Sequence, residues 1–265
     1  MKKTLGMIMS GGEGSRLMPL TKFRSKPAVY VWGTFRLIDA SVNSIGRQCS
    51  ITYILPQYQV ASQIRHIEEK YISGRVRTAN CSILTPQITR TRKRWYEGTA
   101  DSVRHNIDRV QYSAAENVII GAGDHLYTFM FEQPLQDHQS MKGDLTVLTL
   151  KKQLKREDFD RLGKYRFGVL EVNPSGRVKA LHEKVENPPQ IKNRSGSDTG
   201  FVFVSMGIYV FKSGSLFDSL NSPYSKDGKG LGNDFGSEII PGMLRNKKRF
   251  MLMFMILKKM ALGKM

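Results

Sequence analysis

Hydrophobic residues occur in short blocks along the first half of the chain. Apolar runs that end near Gly, Pro or Gln predict buried strands at Leu5–Met9, Ile51–Leu55 and Val118–Ile120. The intervening stretches Ala61–Tyr71 and Thr99–Tyr112 have apolar residues at helical spacing. Strands that alternate with helices in this way are typical of an α/β fold, in which a mostly parallel sheet carries helices on both faces.

The second half of the chain predicts more strands, at Leu145–Leu150, Gly168–Val172, Arg177–Leu181 and Phe201–Phe211. Asn173–Gly176 has the Asn-Pro-Ser-Gly composition of a turn, and the polar segment Pro188–Thr199 predicts a loop. In α/β sheets ligands bind beyond the carboxyl ends of the strands, so the residues that follow each strand are the first candidates for chemistry.

The chain is strongly basic. Its 265 residues have a formal net charge of +18, which suits anionic partners, nucleic acid among them. Residues 242–265 carry seven basic residues and no acid, and Arg90–Arg94 is a second basic cluster. Because neither accompanies a helix-turn-helix, zinc-finger or aromatic RNA-binding signature, we interpret the charge as solvated surface that attracts phosphorylated small molecules. We predict no nucleic-acid partner.

Composition also bears on location. With 40% hydrophobic and 24% charged residues, the chain is typical of a globular protein. No apolar run approaches the roughly 18–20 residues of a membrane helix, and the apolar start of the chain leads straight into a glycine loop, which favours a buried strand over a signal peptide. Cys49 and Cys81 favour free thiols in a reducing compartment. We therefore predict a cytoplasmic protein with no membrane partner.

The sequence Gly-Gly-Glu-Gly-Ser-Arg, at residues 11–16, directly follows the first predicted strand. Glycines let the backbone approach a phosphate and point N–H groups at it, and Arg16 adds a permanently charged fork. The spacing fits neither a Walker loop nor a dinucleotide-binding loop, and a tight strand-to-helix turn is the alternative interpretation. Lys26, which precedes a proline, is a second candidate phosphate ligand, and its alternative is a surface lysine.

Together these motifs resemble the opening signature of the sugar-nucleotide pyrophosphorylases, and later stretches resemble the glucose-1-phosphate adenylyltransferase (ADP-glucose pyrophosphorylase) branch in particular. The matching stretches keep the family's order over residues 5 to about 244 and are Phe35–Asp39, Trp95–Asp101, Gly123–His125, Phe167–Val169, Glu183–Lys184, Ser205–Phe211 and Asp234–Gly236. The resemblance implies the nucleotide-diphospho-sugar transferase fold, a Rossmann-like, mostly parallel mixed sheet with helices on both faces. It also implies a catalytic domain at residues 1–245.

The resemblance implies a role for each matching residue. The catalytic residues would be Arg16, Lys26 and Asp124, and Asp124 would hold Mg²⁺ as the cofactor. The nucleotide would lie against Gly11, Gly12, Gly14, Gln87, Tyr96, Gly98 and Thr99. The sugar phosphate would contact Gly168, Glu183, Lys184 and Ser205, in a lobe that Asp234 positions.

The implied reaction transfers the adenylyl group of ATP to glucose 1-phosphate, giving ADP-glucose and pyrophosphate for glycogen or starch-like polymer synthesis. A phosphate oxygen of the sugar phosphate attacks the α-phosphorus of ATP in line. Because that oxygen is already an anion, no general base is required, and the protein's tasks are alignment and charge neutralisation. His125 is interpreted as a structural neighbour of Asp124, and the sequence shows no partner for His66.

Several features depart from the family pattern. Ile88 stands in place of the second of two paired glutamines, Val185 replaces a proline, and Ala40–Ser50 is one residue shorter. After Asp234–Gly236 there is no match to the stretch with the second Mg²⁺ aspartate, nor to the C-terminal left-handed β-helix that supports homotetramers and allosteric control in the family. The alternative hypothesis is a non-catalytic regulatory subunit or truncated relative that binds nucleotide or sugar phosphate without turnover.

Residues 246–265 differ in composition from the rest of the chain, since they are rich in methionine and lysine and contain no acid. Two interpretations are open. The segment could form a basic amphipathic helix on a membrane surface, or it could be an aberrant terminus. We favour the second.

Overall fold

The computed structural model describes residues 3–12, 14–74, 79–87, 95–127, 130–173, 177–193, 195–226, 228–246 and 250–255, and for Arg16 and 250–255 it describes the backbone. Ile88, the basic cluster Arg90–Arg94 and most of the predicted turn at Asn173–Gly176 lie outside the described residues. The strands are β1 (Thr4–Ser10), β2 (Tyr30–Trp32), β3 (Phe35–Arg36), β4 (Ile51–Pro56), β5 (Cys81–Ile83), β6 (Asn117–Ala122), β7 (Leu145–Gln153), β8 (Val169–Val172), β9 (Val178–His182), β10 (Phe201–Lys212) and β11 (Phe250–Met255). The helices are α1 (Leu37–Gly46), α2 (Val60–Ile67), α3 (Thr99–Arg104), α4 (Ile107–Ser113), α5 (Glu132–Ser140), α6 (Ser213–Leu220) and α7 (Ile240–Arg245). Every strand predicted from the sequence is present.

The strands form one mixed sheet in the order β11-β7-β10-β6-β1-β4-β5, and β8 and β9 extend it beside β10. β1 lies in the middle of the parallel part, with β4 on one side and β6 on the other. β10 runs antiparallel to both β6 and β7. A separate hairpin pairs β2 with β3. This mostly parallel, mixed sheet confirms the predicted α/β fold.

Successive side chains of the central strands point to opposite faces of the sheet, and each face carries its own helices. On β6, Val118 and Ile120 face one hydrophobic core with α3, α4, α6 and α7, whereas Ile119 faces the other core with α1, α2 and α5. All three side chains are completely buried. A strand that is buried on both faces requires consecutive apolar residues, which explains why the sequence shows apolar blocks here instead of alternation.

The parallel register sets the edge at which ligands can bind. Met9 of β1 lies opposite Leu55 of β4 and Ala122 of β6. Because the three strands run in the same direction, their carboxyl ends share one edge of the sheet. The glycine loop, which follows β1, and Asp124, which follows β6, therefore emerge side by side at the position where α/β proteins bind their ligands.

The helix predicted over Thr99–Tyr112 is interrupted between Arg104 and Ile107, and α3 and α4 are separate. Asn106, at the break, donates hydrogen bonds from its amide to Ser102 O at 2.9 Å and to Tyr96 OH at 3.1 Å. Asparagine side chains that bond to nearby backbone groups compete with the helical hydrogen bonds. The hydrophobic spacing continues through the break, so the sequence pattern alone did not reveal it.

Residues Phe250–Met255 form β11, which lies parallel to β7 at the edge of the sheet. The amphipathic-helix interpretation of the tail is therefore wrong for these residues. Six apolar residues follow one another there, and a run of this length suits a strand. In the part of the chain that the structure describes, no helix is long and apolar enough to cross a membrane. Residues 247–249 and 256–265 of the tail lie outside that part.

Asp39, in the first turn of α1, is the centre of a buried polar network. Its carboxylate accepts hydrogen bonds from His66 Nε2 at 2.7 Å, Lys70 Nζ at 2.8 Å and Tyr71 OH at 2.8 Å, and from Arg36 N at 2.9 Å. The fold thus supplies the partner of His66 that the sequence did not show. Burial is the largest single influence and would raise the pKa of Asp39. The hydrogen bonds from His66, Lys70 and Arg36 N, together with the electrostatic attraction of His66, lower the pKa to about 2.

We expect the ionised Asp39 to stabilise the fold above its unfolded-state pKa of about 4, and this contribution to be lost as the pH falls towards 2. Asp39→Asn should lower the free energy of unfolding at pH 6 by roughly 3 kcal/mol, since it leaves buried donors without a charged partner. It should also flatten the pH dependence between pH 4 and pH 2. Urea unfolding at four pH values measures both effects. Asp108→Asn, at a half-exposed carboxylate, is the control, and parallel pH profiles for the wild type and Asp39→Asn would contradict the prediction.

Candidate active site

The glycine loop leaves β1 at Ser10 and turns sharply at Gly14. Gly14 has a φ of 74°, in the left-handed region that favours glycine. A Cβ atom added there would lie 2.9 Å from Lys26 Cβ and 3.0 Å from Thr21 Cγ2. Thr21 Oγ1 also donates a hydrogen bond to Gly14 O at 2.8 Å. Glycine is therefore required at this position both for the backbone conformation and for the close contact with Lys26.

The first two glycines of the loop have different surroundings. Gly11 packs against Gln57, which follows β4, and an added Cβ atom would lie 3.1 Å from Gln57 Cβ. Gln57 Nε2 in turn donates a hydrogen bond to Tyr96 O at 3.2 Å. Gly12 is exposed, and no described atom lies within 4 Å of an added Cβ atom. The loop is supported from one side and leaves room for a ligand on the other.

Lys26 and Asp124 form an ion pair beside the glycine loop. Lys26 begins a short 3₁₀ turn that Pro27 continues, and Asp124 follows β6. Lys26 Nζ lies 2.8 Å from Asp124 Oδ2, and each side chain is 32% exposed, so a ligand can reach the pair. His125 Nε2 lies 3.5 Å from the other carboxylate oxygen. The backbone of Arg16 forms a 3₁₀ turn next to the glycine loop, and its side chain lies outside the described part.

A cavity of about 630 Å³ opens at the same edge of the sheet. Met9 and Ala122, at the ends of β1 and β6, contribute to its lining, and so do Thr99, Glu183, Lys184, Tyr209, Lys226 and Asp234. Thr99 Oγ1 donates a hydrogen bond to Asp234 Oδ2 at 3.0 Å and accepts one from Phe235 N at 3.0 Å. Thr99, predicted to contact the nucleotide, therefore lies on the cavity wall that also carries the predicted sugar-phosphate residues.

Glu183 is packed between two glycines. A Cβ atom added at Gly168 or at Gly236 would collide with its carboxylate. Burial raises the pKa of Glu183, the nearby charge of Asp234 raises it further, and Lys184 opposes the shift. Lys184 itself has a left-handed backbone with a φ of 52°. A carboxyl group in these surroundings can accept hydrogen bonds from sugar hydroxyls and, when protonated, can also donate one.

Ser205 lies on β10 next to residues of this cavity. Its backbone N–H donates to Gly168 O at 2.8 Å, and its Oγ accepts a hydrogen bond from Gly207 N at 3.2 Å. Tyr209, which lines the cavity, is buried, and burial raises the pKa of its hydroxyl while a hydrogen bond with Ser205 opposes the shift. Ser205 is thus hydrogen-bonded both to Tyr209, which lines the cavity, and to Gly168, which packs against Glu183.

Gln87, Tyr96 and Gly98 are not among the residues that line the 630 Å³ cavity. Gln87 is exposed and lines a smaller cavity of about 320 Å³ beside the junction of α3 and α4. The ring of Tyr96 is buried, with its centroid 5.3 Å from that of His105. Gly98 packs directly against the backbone of Asn233. The nucleotide contacts of these three residues stay predictions.

Comparison with known proteins then identifies the family. Residues 5–258 match the family described as Nucleotidyl transferase. The chain belongs to the nucleotidyl transferase family.

Three relatives show how similar individual proteins are to this chain. It is 37% identical over 244 residues to glucose-1-phosphate adenylyltransferase 1 of Vibrio parahaemolyticus and 34% identical over 255 residues to that of Vibrio cholerae. It is 36% identical over 251 residues to glucose-1-phosphate adenylyltransferase of Granulibacter bethesdensis. These matches cover 92%, 96% and 92% of this chain but 57%, 60% and 56% of the relatives. The chain thus spans a little more than half the length of the relatives it matches, and the resemblance to this family is confirmed.

Nucleotidyl transferases generally use a divalent metal ion. Mg²⁺ in phosphate-binding sites is typically held by one or two carboxylates, with water and substrate phosphates as the other ligands. Within the described ranges, no three His, Cys, Asp or Glu side chains lie close enough to share a metal ion. Asp124 is an accessible carboxylate of the kind that can hold such an ion, since its side chain is 32% exposed.

Three residues that line or support this candidate site were not predicted from the sequence. Gln57 comes two residues after the predicted strand Ile51–Leu55, so the rule that ligands bind at the carboxyl ends of strands would have identified it. Tyr209 lies within the stretch Ser205–Phe211 but was not singled out there. Lys226 belongs to an irregular segment without a strand or motif, and no local signal in the sequence connects it to the cavity.

We expect Gly14→Ala to weaken ATP binding at least tenfold, because the added methyl group strains the left-handed backbone and displaces Lys26. Gly163→Ala is the matched control. Gly163 has a φ of 73°, and no described atom lies within 4 Å of an added Cβ atom there. Both variants carry a similar backbone strain of about 1–2 kcal/mol, and Gly14→Ala alone perturbs the site. Isothermal titration with ATP and thermal unfolding of both variants test this; equal ATP affinities would count against a phosphate-binding glycine loop.

Proposed function

We propose that this chain transfers the adenylyl group of ATP to glucose 1-phosphate, forming ADP-glucose and pyrophosphate. The supporting observation is that the glycine loop, the Lys26–Asp124 pair and the cavity with Glu183 and Lys184 share one edge of the sheet. Such an edge offers backbone N–H groups and cations to phosphates and offers carboxylates to sugar hydroxyls. The relatives named above are glucose-1-phosphate adenylyltransferases. We assign the activity to a catalytic domain at residues 1–245, with β11 along the edge of its sheet.

In this proposal the triphosphate of ATP lies over the open side of the glycine loop and contacts Lys26, and Arg16 is its second cation, as the family resemblance implies. The sugar phosphate occupies the 630 Å³ cavity, where Lys184 and Lys226 offer positive charge to its phosphate. Glu183 accepts hydrogen bonds from the sugar hydroxyls. The partners in this proposal are therefore small phosphorylated molecules. We also propose that the chain acts in the cytoplasm and that its product supplies glycogen or starch-like polymer synthesis.

The chemistry is a single displacement at the α-phosphorus of ATP. A bond forms from a phosphate oxygen of glucose 1-phosphate to that phosphorus, and the bond to the bridging oxygen breaks as pyrophosphate leaves. Because the attacking oxygen is already ionised, the chain needs no general base, and its tasks are to align the two phosphates and to neutralise charge. Lys26 provides a cation there, and Asp124 fixes the position of that cation. Mg²⁺ held by Asp124 would neutralise additional phosphate charge.

We expect the purified chain, incubated with Mg²⁺, glucose 1-phosphate and one nucleoside triphosphate at a time, to release pyrophosphate with ATP. Lys26→Met and Asp124→Asn should each lower that rate by about two to three orders of magnitude. The first removes a cation that neutralises phosphate charge, and the second removes the carboxylate that fixes this cation and would hold Mg²⁺. Lys155→Met, at a surface lysine that is 55% exposed, is the control for loss of positive charge. Coupled detection of pyrophosphate measures all four proteins.

The outcomes separate the hypotheses. A preference for another nucleoside triphosphate would overturn the adenylyl assignment and retain the reaction class. Binding of ATP without release of pyrophosphate, in a protein that unfolds cooperatively on heating, would favour the non-catalytic alternative. A rate in Asp124→Asn equal to that of Lys155→Met would remove Asp124 from the mechanism.

A further inference from the structure

A buried glutamine bridges two segments of the site. Gln63 lies on α2 and is 1% exposed. Its amide nitrogen donates one hydrogen bond to Ser10 O at 3.1 Å and another to Ser25 Oγ at 2.6 Å. Ser10 and Ser25 are almost completely buried as well. The amide orientation follows from these partners, because a carbonyl oxygen such as that of Ser10 can only accept.

The positions of the two partners connect this bridge to the proposed chemistry. Ser10 is the last residue of β1 and leads directly into the glycine loop. Ser25 immediately precedes Lys26, which carries the charge that meets Asp124. The glycine loop and the lysine turn already touch where Gly14 packs against Lys26. Gln63 joins the same two segments a second time, through hydrogen bonds to Ser10 before the glycine loop and to Ser25 before Lys26.

The bridge carries an energetic cost that packing alone does not require. Gln63 Oε1 is buried, and within the described part of the chain it has no hydrogen-bond partner. Burying an unpaired carbonyl oxygen destabilises the fold, whereas a leucine or methionine would fill a similar volume without that cost. What the amide adds is direction, because its two N–H groups fix the positions of Ser10 O and Ser25 Oγ relative to each other.

We propose that Gln63 is a positioning residue, which sets the distance between the phosphate-binding glycine loop and Lys26 through its hydrogen bonds to Ser10 and Ser25. This inference rests on the proposed function. In-line transfer requires the attacking and leaving groups to be aligned, and a displacement of about 1 Å can lower the rate about 100-fold. Gln63 touches neither substrate in this proposal, so its effect passes through the two segments that it joins.

The test compares Gln63→Met with Thr146→Val in the full chain. Gln63→Met keeps the volume of the side chain and removes both hydrogen bonds. Thr146 lies on β7, and its hydroxyl forms a buried hydrogen bond of 2.8 Å with Nδ1 of His138 on α5. Thr146→Val removes this bond. Both variants should unfold at a lower temperature than the wild type. At a temperature well below both transitions, we expect Gln63→Met to show a kcat lowered 10- to 100-fold and a weaker affinity for ATP, and Thr146→Val to match the wild type in both.

A pH profile of Gln63→Glu provides a second readout. A buried carboxyl group has a raised pKa and, while protonated, can donate one hydrogen bond in place of the amide. We therefore expect Gln63→Glu to retain more activity than Gln63→Met at pH 6 and to lose that advantage towards pH 9. A residue that acted only through stability would give the two variants the same pH profile once both are folded.

The failure of this inference can be distinguished from failure of the proposed function. If the wild type releases pyrophosphate and Gln63→Met loses only thermal stability, as Thr146→Val does, the positioning role is wrong and the function stands. If the wild type binds ATP without turnover, the function is wrong, and a lower ATP affinity in Gln63→Met relative to Thr146→Val still supports positioning. If the wild type does not bind ATP, both are overturned.

Discussion

The ion pair between Lys26 and Asp124 is the contact on which the site depends, because it joins the turn after the glycine loop to the end of β6, 98 residues away. About a third of each side chain is exposed, so the pair adds about 1 kcal/mol or less to stability. The sheet register brings the glycine loop next to the end of β6, and the ion pair adds little to the stability of the sheet. A weak, accessible pair can exchange one partner for a phosphate at little cost. The network around Asp39 differs, since its carboxylate is only 2% exposed and its hydrogen bonds join α1 to His66, Lys70 and Tyr71.

Asn233 and Asp234 of the site lie outside the helices and strands, and side chains satisfy their backbone groups. Arg104 donates to Leu220 O and to Asn233 Oδ1, and the carboxylate of Glu238 accepts hydrogen bonds from the backbone N–H groups of Asn233 and Asp234. Buried backbone groups need partners, and in a helix or strand these come from the element itself. Here they come from α3 and from the segment that follows. The position of Asp234, and through it of Thr99, therefore depends on these side chains.

Local signals in the sequence predicted the strands, the α/β fold and the glycine loop, because burial on both faces and tight turns leave their mark on adjacent residues. Contacts between distant residues left no such mark. The partner of His66 lies 27 positions away, and the two partners of Gln63 lie 53 and 38 positions away. A hydrophobic pattern records that a position is buried, but it does not record which polar group the residue meets there. The strand at Phe250–Met255 shows the same limit, since its edge position depends on β7 and not on its own composition.

Glu183 shows how the family motif and the physical setting explain each other. The sequence matched Gly168 and Gly236 to separate family stretches, and the structure shows why both are glycines: any side chain at either position would occupy the space of the Glu183 carboxylate. That close packing removes water from the carboxyl group, and burial together with Asp234 raises its pKa. A carboxyl group held in this position offers oxygen atoms that can accept hydrogen bonds. The two glycines therefore set the environment of the Glu183 carboxyl group, whether or not a sugar is bound beside it.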